Sequence, residues 1–261
     1  MPTVTSPHNP WIKELRKAIR RGGQTDDGLV VAEGPHLIAE ALRSKCEIPA
    51  VFVTEAARGP MAQCLDQVEA AKVSTVPTGL FREISTTETS QGVIALVRPP
   101  QWTLEQVFGG TPLVVILDGL QDPGNAGTVL RAAEAFGATG MVALKGTVNP
   151  YNPKCVRASA GSVFRVPLAA GVDPGSALAS VAEHNAELFA LIADGARALG
   201  ETNLTGACAV VLGSEAHGVS DVVKAKATGV RIPTLGVESL NAALAAGIAL
   251  YAARQQRLVD R

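Results

Sequence analysis

Short apolar runs alternate with helix-like segments through the second half of the chain. The runs carry no polar alternation, which is typical of strands buried on both faces of a sheet. Helical patterns separate them, at about 126–136, 152–159, 174–185, 218–226 and 239–257. This order predicts a mostly parallel sheet in an α/β/α arrangement. The predicted strands are "LVVILDG" (113–119), "GMVALK" (140–145), "SVFRVPL" (162–168), "ELFALIA" (187–193), "CAVVLG" (208–213) and "GVRIP" (229–233).

A smaller α/β domain is predicted before this region. Its helices are expected at Trp11–Arg21, Pro35 to about Arg43, and 60–71, with strands at "LVVAEG", "AVFVTE" and "GVIALVR". The stretch "RPPQWTLEQVFGGTP" is rich in proline and glycine and indicates a linker with one short helix at 104–108. The chain has 261 residues, more than one typical domain. We therefore expect domains at 1–98 and 112–261, joined by a linker at 99–111.

Composition and charge limit the classes of function. Hydrophobic residues make up 47% and charged residues 18%, which favours packed cores over disorder. The net charge is −1, and residues 1–98 hold 11 basic against 11 acidic side chains. Any affinity for nucleic acid must therefore come from a local patch. The candidate patch is the first helix, whose basic residues could contact phosphates or form an ordinary solvated face: Lys13, Arg16, Lys17, Arg20 and Arg21.

The cysteines and the N-terminus indicate the compartment. The four cysteines form no C-x-x-C pair, and no histidines stand at metal-ligand spacing, so reduced thiols and no metal site are expected. No apolar run approaches the ~20 residues of a membrane span, and the N-terminus has no apolar signal core. These features predict a soluble, cytoplasmic protein.

The segment "ILDGLQDPGNAGTVLRAAEAFGA" (116–138) predicts a strand, a turn and a helix. It has neither the dinucleotide fingerprint G-x-G-x-x-G nor a phosphate-binding Gly-Lys-Ser/Thr. Asn125 is expected at the helix N-cap, and Arg131 on the side away from the packed face. In the alternative interpretation Asn125 is only a cap, and Arg131 forms a solvated pair with Glu134.

Two later segments also place polar residues after buried strands. "VVLGSEAHGVS" (210–220) puts Gly213, Glu215 and Gly218 where ligands bind in open α/β sheets, beyond the carboxyl end of a strand. Ser214 and His217 lack the G-x-S-x-G context of a nucleophilic serine.

"VRIPTLGVESLNAALAAGIALY" (230–251) predicts a helix with Ser239 as N-cap and Asn241 near its start. Leu240, Leu244, Ile248 and Tyr251 share one helix face. The small residues of this helix allow close approach of another helix or a second subunit.

The three segments together resemble the signature motifs of the SpoU (TrmH-like) family of RNA ribose 2′-O-methyltransferases, in the SPOUT superfamily. The N-terminal segments "SPHNPWIKELRKAIRR", "VVAEGPHLIAEAL" and "SQGVIALV" resemble the L30e-like RNA-binding domain found before the catalytic domain in the ribosomal-RNA branch. The matching residues are Asn125, Gly127, Arg131 and Phe136-Gly137 in the first motif, Gly213, Glu215 and Gly218 in the second, and Ile232-Pro233 and Ser239-Leu240-Asn241 in the third.

This resemblance implies a deep trefoil knot that binds S-adenosylmethionine (SAM) and a homodimer with its active site completed across the interface. Gly213, Gly218, Ile232 and Leu240 are then expected to bind the cofactor. Arg131 is expected to clamp a phosphate and stabilise an oxyanion, since a guanidinium holds its proton too tightly to act as a base. The implied supporting hydrogen-bond shell is Asn125, Glu215, Ser239 and Asn241.

Two further points concern the match to the family. Arg157 lies in "KCVRASAGSVFRVP", which matches an R-A-S-x-G pattern of this branch, and it is either an RNA contact or a surface charge. The loop from Ile232 to Leu240 is one residue shorter than is usual in the family, which affects the expected cofactor contacts.

The implied function is SAM-dependent 2′-O-methylation of a ribose in structured RNA, with 23S rRNA favoured by the N-terminal domain. A tRNA ribose methyltransferase is the first alternative. A NAD-dependent dehydrogenase is disfavoured by the missing fingerprint and by the lack of a suitable acidic residue after a second strand. A catalytically silent RNA-binding protein is disfavoured by the intact motif residues.

Overall fold

The computed structural model describes residues 2–259. Met1, Asp260 and Arg261, which the predicted domain ranges include, lie outside the described residues. The chain divides into two compact units, each built from two stretches of sequence: Met1–Pro100 with Pro150–Arg165, and Gln101–Asn149 with Val166–Arg261. Residues 150–165 therefore pack with the N-terminal sequence, although they lie within the predicted range 112–261.

The elements are numbered in chain order. The helices are α1 (Pro10–Arg21), α2 (Pro35–Arg43), α3 (Glu55–Arg58), α4 (Ala62–Leu65), α5 (Thr78–Arg82), α6 (Leu104–Val107), α7 (Pro123–Phe136), α8 (Pro153–Ala158), α9 (Pro174–Glu183), α10 (Asp221–Lys224) and α11 (Ala242–Val259). The strands are β1 (Val30–Glu33), β2 (Glu47–Thr54), β3 (Val73–Val76), β4 (Val93–Arg98), β5 (Leu113–Asp118), β6 (Gly140–Leu144), β7 (Leu168–Val172), β8 (Glu187–Leu191), β9 (Arg197–Ala198), β10 (Cys208–Gly213) and β11 (Thr228–Arg231). Short 3-10 turns lie at Ala70–Lys72, Ser162–Phe164 and Leu199–Glu201.

The first unit contains a four-stranded mixed sheet in the order β1-β4-β2-β3. Strand β4 is antiparallel to both of its neighbours, whereas β2 and β3 are parallel. Helix α1 begins where the Asn9 side chain accepts hydrogen bonds from the backbone N–H groups of Trp11 and Ile12, and it ends at Gly22 in the left-handed conformation. It buries Ile12 and Leu15 against the sheet residues. The predicted small α/β domain has this architecture.

The second unit contains a seven-stranded sheet in the order β7-β6-β5-β10-β8-β11-β9. Every neighbouring pair in it is parallel, which confirms the predicted parallel sheet. Apolar side chains of α6, α9 and α10 pack with alternate residues of β5, β6, β8 and β10 in one core. Helix α11 lies against α7 and β10. The central strands are therefore buried by helices, as their continuous apolar sequences require.

Two predicted elements are wrong. The helix expected at 60–71 is reduced to α4 and the 3-10 turn Ala70–Lys72, because the chain must turn to bring Val73 into parallel register with Val51 of β2. The strand expected at 162–168 is a 3-10 turn at Ser162–Phe164. Val163 and Phe164 are buried in the first unit, and the strand starts only at Leu168, after Pro167, to pair with β6.

Helix α10 is shorter than the predicted 218–226. Gly218 is bridged to Ser214 and takes a φ of 67°, so it belongs to the preceding loop rather than to a helix. Within residues 2–259, no helix combines the length and the apolar character needed to cross a lipid bilayer.

Candidate active site

A cleft opens at the carboxyl ends of the central strands of the parallel sheet. We call it the strand-end cleft and distinguish two chambers. The main chamber, with a volume of ≈ 520 Å³, is lined by residues 191–194 after β8, by 212–215 and 217–219 around the loop after β10, by Lys224, and by residues 239–242 and Ala245. The side chamber, of ≈ 110 Å³, is lined mainly by apolar residues that include Val230, Ile232 and Leu240. Loops at this edge of a parallel sheet form the usual ligand site of α/β folds.

Side chains from all three predicted motifs are hydrogen-bonded to one another beside this cleft. The Nδ2 group of Asn125 donates to Oε1 of Glu215 at 2.8 Å. The Nδ2 group of Asn241 donates to Oδ1 of Asn125 at 3.1 Å. Asn125 therefore uses its donor and its acceptor to join the loop after β10 to the start of α11. We call these three residues the motif triad.

The prediction that Asn125 is a helix N-cap is wrong. Helix α7 begins at Pro123, and the cap is Asp122, whose Oδ1 accepts from the backbone N–H of Asn125 at 2.7 Å. Proline is favoured at the first helical position, because its missing N–H would have no partner there. The Asp-Pro pair thus starts the helix one turn earlier and leaves the Asn125 side chain free for Glu215 and Asn241.

The loop after β10 is a tight backbone hairpin. The backbones of Ser214 and Gly218 exchange two hydrogen bonds, of 3.0 and 2.9 Å. A Cβ atom on Gly213 would lie 2.1 Å from the carbonyl carbon of Gly218, so only glycine fits there. The buried carboxylate of Asp118 accepts from the N–H of Ser220 at 2.7 Å and fixes the far end of the loop. Glu215 is therefore held on a closely packed loop.

Helix α11 begins three residues later than predicted. Asn241 caps it, since its Oδ1 accepts from the N–H groups of Ala243 and Leu244 at 3.0 and 3.2 Å. Ser239 is not the N-cap, and it lines both chambers of the strand-end cleft instead. The cap is displaced because Asn241 satisfies the free N–H groups of the helix while its amide still reaches Asn125.

The four residues predicted to bind the cofactor surround one cleft. Gly213 and Gly218 line the main chamber, Ile232 lines the side chamber, and Leu240 lines both. The segment from Leu191, the last residue of β8, to Asp194 also lines the main chamber and was not predicted. A sequence signal for it is weak, because it is only the end of an apolar strand with no glycine turn.

Arg131 lies on the exposed side of α7. It is six positions after Asn125, which corresponds to about 9 Å along the helix axis. The guanidinium has neither a hydrogen bond nor an ion pair within residues 2–259, so the structure does not join it to the motif triad. Its catalytic role stays a prediction.

An apolar surface borders Arg131 on helices α7 and α11. Leu244 and Tyr251 are 54% and 52% exposed, although both are large apolar side chains. The rings of Tyr251 and Phe136 meet edge to face with centroids 5.7 Å apart. Together with Ala132 and Ile248 these residues line a shallow depression of ≈ 530 Å³. We call it the α7–α11 surface. Leu244, Ile248 and Tyr251, predicted to share one helix face, are thus largely uncovered, whereas small residues such as Ala246 pack inward. Leu240, predicted on the same face, precedes the helix and lines the strand-end cleft instead.

Acidic neighbours partly neutralise the basic face of α1. Arg16 forms an ion pair with Glu83, and Lys17 and Arg21 form ion pairs with Asp26. Hydrogen bonds from Lys17 and then Arg21 lower the pKa of Asp26. Among the described residues, Lys13 and Arg20 have no such partner. The positive charge of α1 that is free of acidic partners is therefore concentrated on these two of the five basic residues. RNA binding by this helix stays a prediction.

Arg157 joins a polar cluster in the first unit. Its Nη1 donates to Oγ1 of Thr86 at 2.7 Å. Thr86 belongs to a loop at residues 85–90 that surrounds the buried carboxylate of Glu33. This carboxylate accepts from Oγ of Ser85 and of Ser90 at 2.7 and 2.6 Å. Burial of Glu33 opposes its ionisation, but hydrogen bonds from Ser90, Thr86 and Ser85 outweigh that cost and lower its pKa. Glu33 was not predicted, because an isolated glutamate at the last position of a strand gives no signal.

Comparison with known proteins decides the family. The sequence model of the SpoU rRNA Methylase family matches residues 112–251, more than half of the chain. The chain belongs to the SpoU rRNA methylase family. A second model, the MRM3-like substrate binding domain, matches residues 9–95. These matches confirm the predicted family, its fold class and its enzyme class. They also confirm SAM as the cofactor of the family. The trefoil knot stays a prediction.

Relatives in the SpoU family match nearly the whole chain. The 23S rRNA (guanosine(2553)-2′-O)-methyltransferase of Bacillus subtilis is 27% identical over 253 residues, covering 96% of this chain and 98% of its own. A solved RNA 2′-O ribose methyltransferase is 31% identical, with a TM-score of 0.81 over 98% of this chain and 99% of its own. The AdoMet-bound rRNA methyltransferase of Sinorhizobium meliloti is 26% identical, with a TM-score of 0.81 over 97% of each chain.

Proposed function

We propose that this protein transfers the methyl group of SAM to the 2′-hydroxyl of a ribose in 23S rRNA. The observation that carries the proposal is the motif triad, which joins Asn125, Glu215 and Asn241 at the mouth of the strand-end cleft. The choice of 23S rRNA rests on the relative from Bacillus subtilis and on the substrate-binding domain matched at residues 9–95. The glycine turn in 116–138 lacks the dinucleotide fingerprint, which argues against a dehydrogenase.

The strand-end cleft suits SAM by its size and its chemistry. Its main chamber of ≈ 520 Å³ lies within the range of about 300–1,000 Å³ usual for small-molecule sites. The side chamber has apolar walls around Ile232 and Leu240 and polar groups on Thr234, Glu238 and Ser239, which suits the flat adenine ring with its polar edge. The main chamber offers charged side chains for a zwitterion. When bound, SAM supplies a methyl group activated by the adjacent sulfonium.

The protein's own residues position the nucleophile. A ribose hydroxyl is a weak nucleophile, so its placement in line with the methyl carbon is the main contribution of the site. A guanidinium holds its proton too tightly to serve as the base in this reaction. In this proposal the guanidinium of Arg131 binds a phosphate next to the target ribose and stabilises the negative charge that develops on the 2′-oxygen, while the hydroxyl proton passes to solvent water. The motif triad, with Ser239, holds the loops around the reacting groups.

We further propose a homodimer that forms through the α7–α11 surface. Leu244, Tyr251 and Phe136 expose a continuous apolar area there, which is typical of a protein–protein interface. Arg131 follows Thr128 by one helical turn, and Thr128 lines this surface. A partner packed on it would therefore receive Arg131 near its own cleft, which accounts for the lack of contact between Arg131 and the motif triad of the same chain.

Methyl transfer from labelled SAM to purified RNA tests the proposed function. The protein is incubated separately with protein-free 23S rRNA, with 16S rRNA and with bulk tRNA, and the label is located by resistance of the modified linkage to alkali. We expect label in a ribose of 23S rRNA alone. Ribosomal subunits are tested in the same way. Transfer to tRNA instead would establish the alternative substrate, and transfer to 16S rRNA alone, or to none of these RNAs and subunits, would contradict the proposal.

A further inference from the structure

Lys224 supplies the positive charge of the strand-end cleft. It is the one lysine or arginine that lines either chamber, within the part of the chain that the structure describes. Glu215 and Asp194 line the main chamber with negative charge, and Glu215 is already bonded to Asn125. The chamber thus presents both signs of charge, with Lys224 as its cation.

The backbone at Lys224 is anchored on both sides. Its N–H donates to the carbonyl of Ser220 at 2.8 Å, and the N–H of Ser220 donates to the Asp118 carboxylate at 2.7 Å. The preceding residue, Val223, is buried in the core beneath the sheet. The ammonium group itself has no ion pair or hydrogen bond to any residue in the range 2–259. A cation on a fixed backbone therefore faces the chamber without an internal partner.

The chemistry of SAM matches this charge. One end of SAM is the uncharged, flat aromatic ring of adenine, and the other is an amino acid with a carboxylate and an ammonium group. If the side chamber takes the adenine, the amino-acid end falls in the main chamber, where a carboxylate removed from bulk water needs a cationic partner. Asp194 in the same chamber offers the opposite charge for the ammonium group.

We propose that Lys224 binds the carboxylate of the methionyl part of SAM and so selects the intact cofactor over analogues without that group. This inference rests on the proposed function, because it assumes that SAM occupies the cleft. A lysine suits this role because its ammonium group carries three donors on a flexible side chain. It can therefore follow the carboxylate as the ligand enters the chamber.

Binding of two cofactor analogues to three proteins tests the inference. Calorimetry measures the Kd of SAM and of decarboxylated SAM, which lacks only the carboxylate, for the wild type, for Lys224→Gln and for Lys226→Gln. Lys226 is exposed two positions later and lines neither chamber, so it is the matched control. Circular dichroism and thermal melting verify that each variant folds as the wild type does.

We expect Lys224→Gln to weaken SAM binding about tenfold, as loss of one partly solvated charge-assisted hydrogen bond predicts. Decarboxylated SAM should bind the wild type about tenfold more weakly than SAM, and Lys224→Gln should bind both ligands alike. Lys226→Gln should behave as the wild type does.

The failures of the two proposals are distinguishable. If wild-type protein does not bind SAM at all, the proposed function is wrong. If the wild type binds SAM and Lys224→Gln binds it equally well, or loses affinity for both ligands to the same extent, only the role of Lys224 is wrong. A variant that keeps full SAM affinity but loses RNA affinity would show that Lys224 contacts the RNA instead.

Discussion

The amide Nδ2 of Asn125 donates to Oε1 of Glu215 across 2.8 Å, although 90 positions separate the two residues. The oxygen of the same amide accepts from Asn241, which in turn caps helix α11. One side chain thereby holds three chain segments at the mouth of the strand-end cleft. The amide is suited to this task because it carries a donor and an acceptor on one short planar group.

Replacing Asn125 by aspartate should lower methyl transfer about 10- to 100-fold. The substitution keeps the shape but removes the donor, so two carboxylates face each other at the Glu215 contact, which costs about 1.5–3 kcal/mol. Adding Glu215→Gln supplies a new donor and should recover part of the loss. The test is a double-mutant cycle, in which single-turnover rates are measured for the wild type, Asn125→Asp, Glu215→Gln and the double variant. Purely additive effects would show that this contact does not matter for catalysis.

Arg131→Ala should abolish measurable methyl transfer and leave the Kd of SAM unchanged. The reason is that Arg131 contacts neither chamber of the cleft and acts on the RNA in our proposal. Arg131→Lys should recover little, because lysine lacks the planar fork that binds a phosphate with two donors. Arg197→Ala, an exposed arginine on β9, is the control and should be fully active.

Mixing experiments test whether Arg131 serves the partner subunit. Subunits of Arg131→Ala are exchanged with subunits of Gly213→Ala, which is expected to have a defective cofactor loop. If the site is shared across the dimer, some mixed dimers hold one intact site and activity returns. An inactive mixture, with subunit exchange verified by differently tagged chains, would place Arg131 and the cofactor loop in the same subunit's site.

Gly213→Ala should weaken SAM binding and lower the stability of the second unit by about 1–3 kcal/mol. The added Cβ would meet backbone atoms of Gly218 and Val219 at 2.1 and 2.2 Å, which a side-chain rotation cannot relieve. Gly200→Ala is the matched control, since no atom lies within 4 Å of its added Cβ. Chemical denaturation and calorimetry measure the two effects. Normal SAM affinity in Gly213→Ala would show that the loop tolerates displacement.

Leu244→Glu should convert a dimer into monomers and abolish activity. A carboxylate in the centre of the α7–α11 surface would be buried without a partner if the dimer formed there. Val222→Glu places the same charge on another exposed residue, on α10, and should leave the dimer intact. Sedimentation velocity measures the oligomeric state. Wild-type protein that sediments as a monomer, or a dimer that survives Leu244→Glu, would contradict the proposed interface.

Glu33 should make the stability of the first unit depend on acid pH. Hydrogen bonds from Ser90, Thr86 and Ser85 keep its folded pKa below the ordinary value of 4.5. The ionised form is therefore favoured by folding, and its contribution is present above the unfolded pKa and lost as the pH falls through the folded pKa. Glu33→Gln should cost about 1–3 kcal/mol at neutral pH and flatten this acid dependence.

Urea unfolding between neutral pH and pH 3, followed by a probe in the first unit, checks the Glu33 prediction. Glu183→Gln, which changes an exposed carboxylate on α9, should follow the wild-type curve. An acid dependence equally steep in Glu33→Gln and in the wild type would show that other groups cause it.

The local pattern of the sequence was sufficient to predict the position of most helices and strands. Helices α1 and α2 and strands β5 and β10 lie where the sequence predicts them, because their signals operate within one element. Helix α1 has the Asn9 cap, α2 begins with Pro35, and the two strands are continuous apolar runs. The errors at 60–71 and 162–168 occurred where register with a distant strand decided the conformation. Val73 had to pair with Val51, and Leu168 with Met141, and no local signal encodes such pairs.

The amino-acid sequence by itself determined the parallel sheet, the glycine turns and the residue types of the three motifs. Only the tertiary structure showed that Asn125 bridges Glu215 and Asn241 rather than capping a helix, and that Lys224 faces the cleft. The physical reason is that capping and periodicity depend on neighbours within a few residues. The order of strands β5, β10 and β8 is set instead by the packing of the whole sheet, and that order brings residues 90 and 116 positions apart into hydrogen-bond contact.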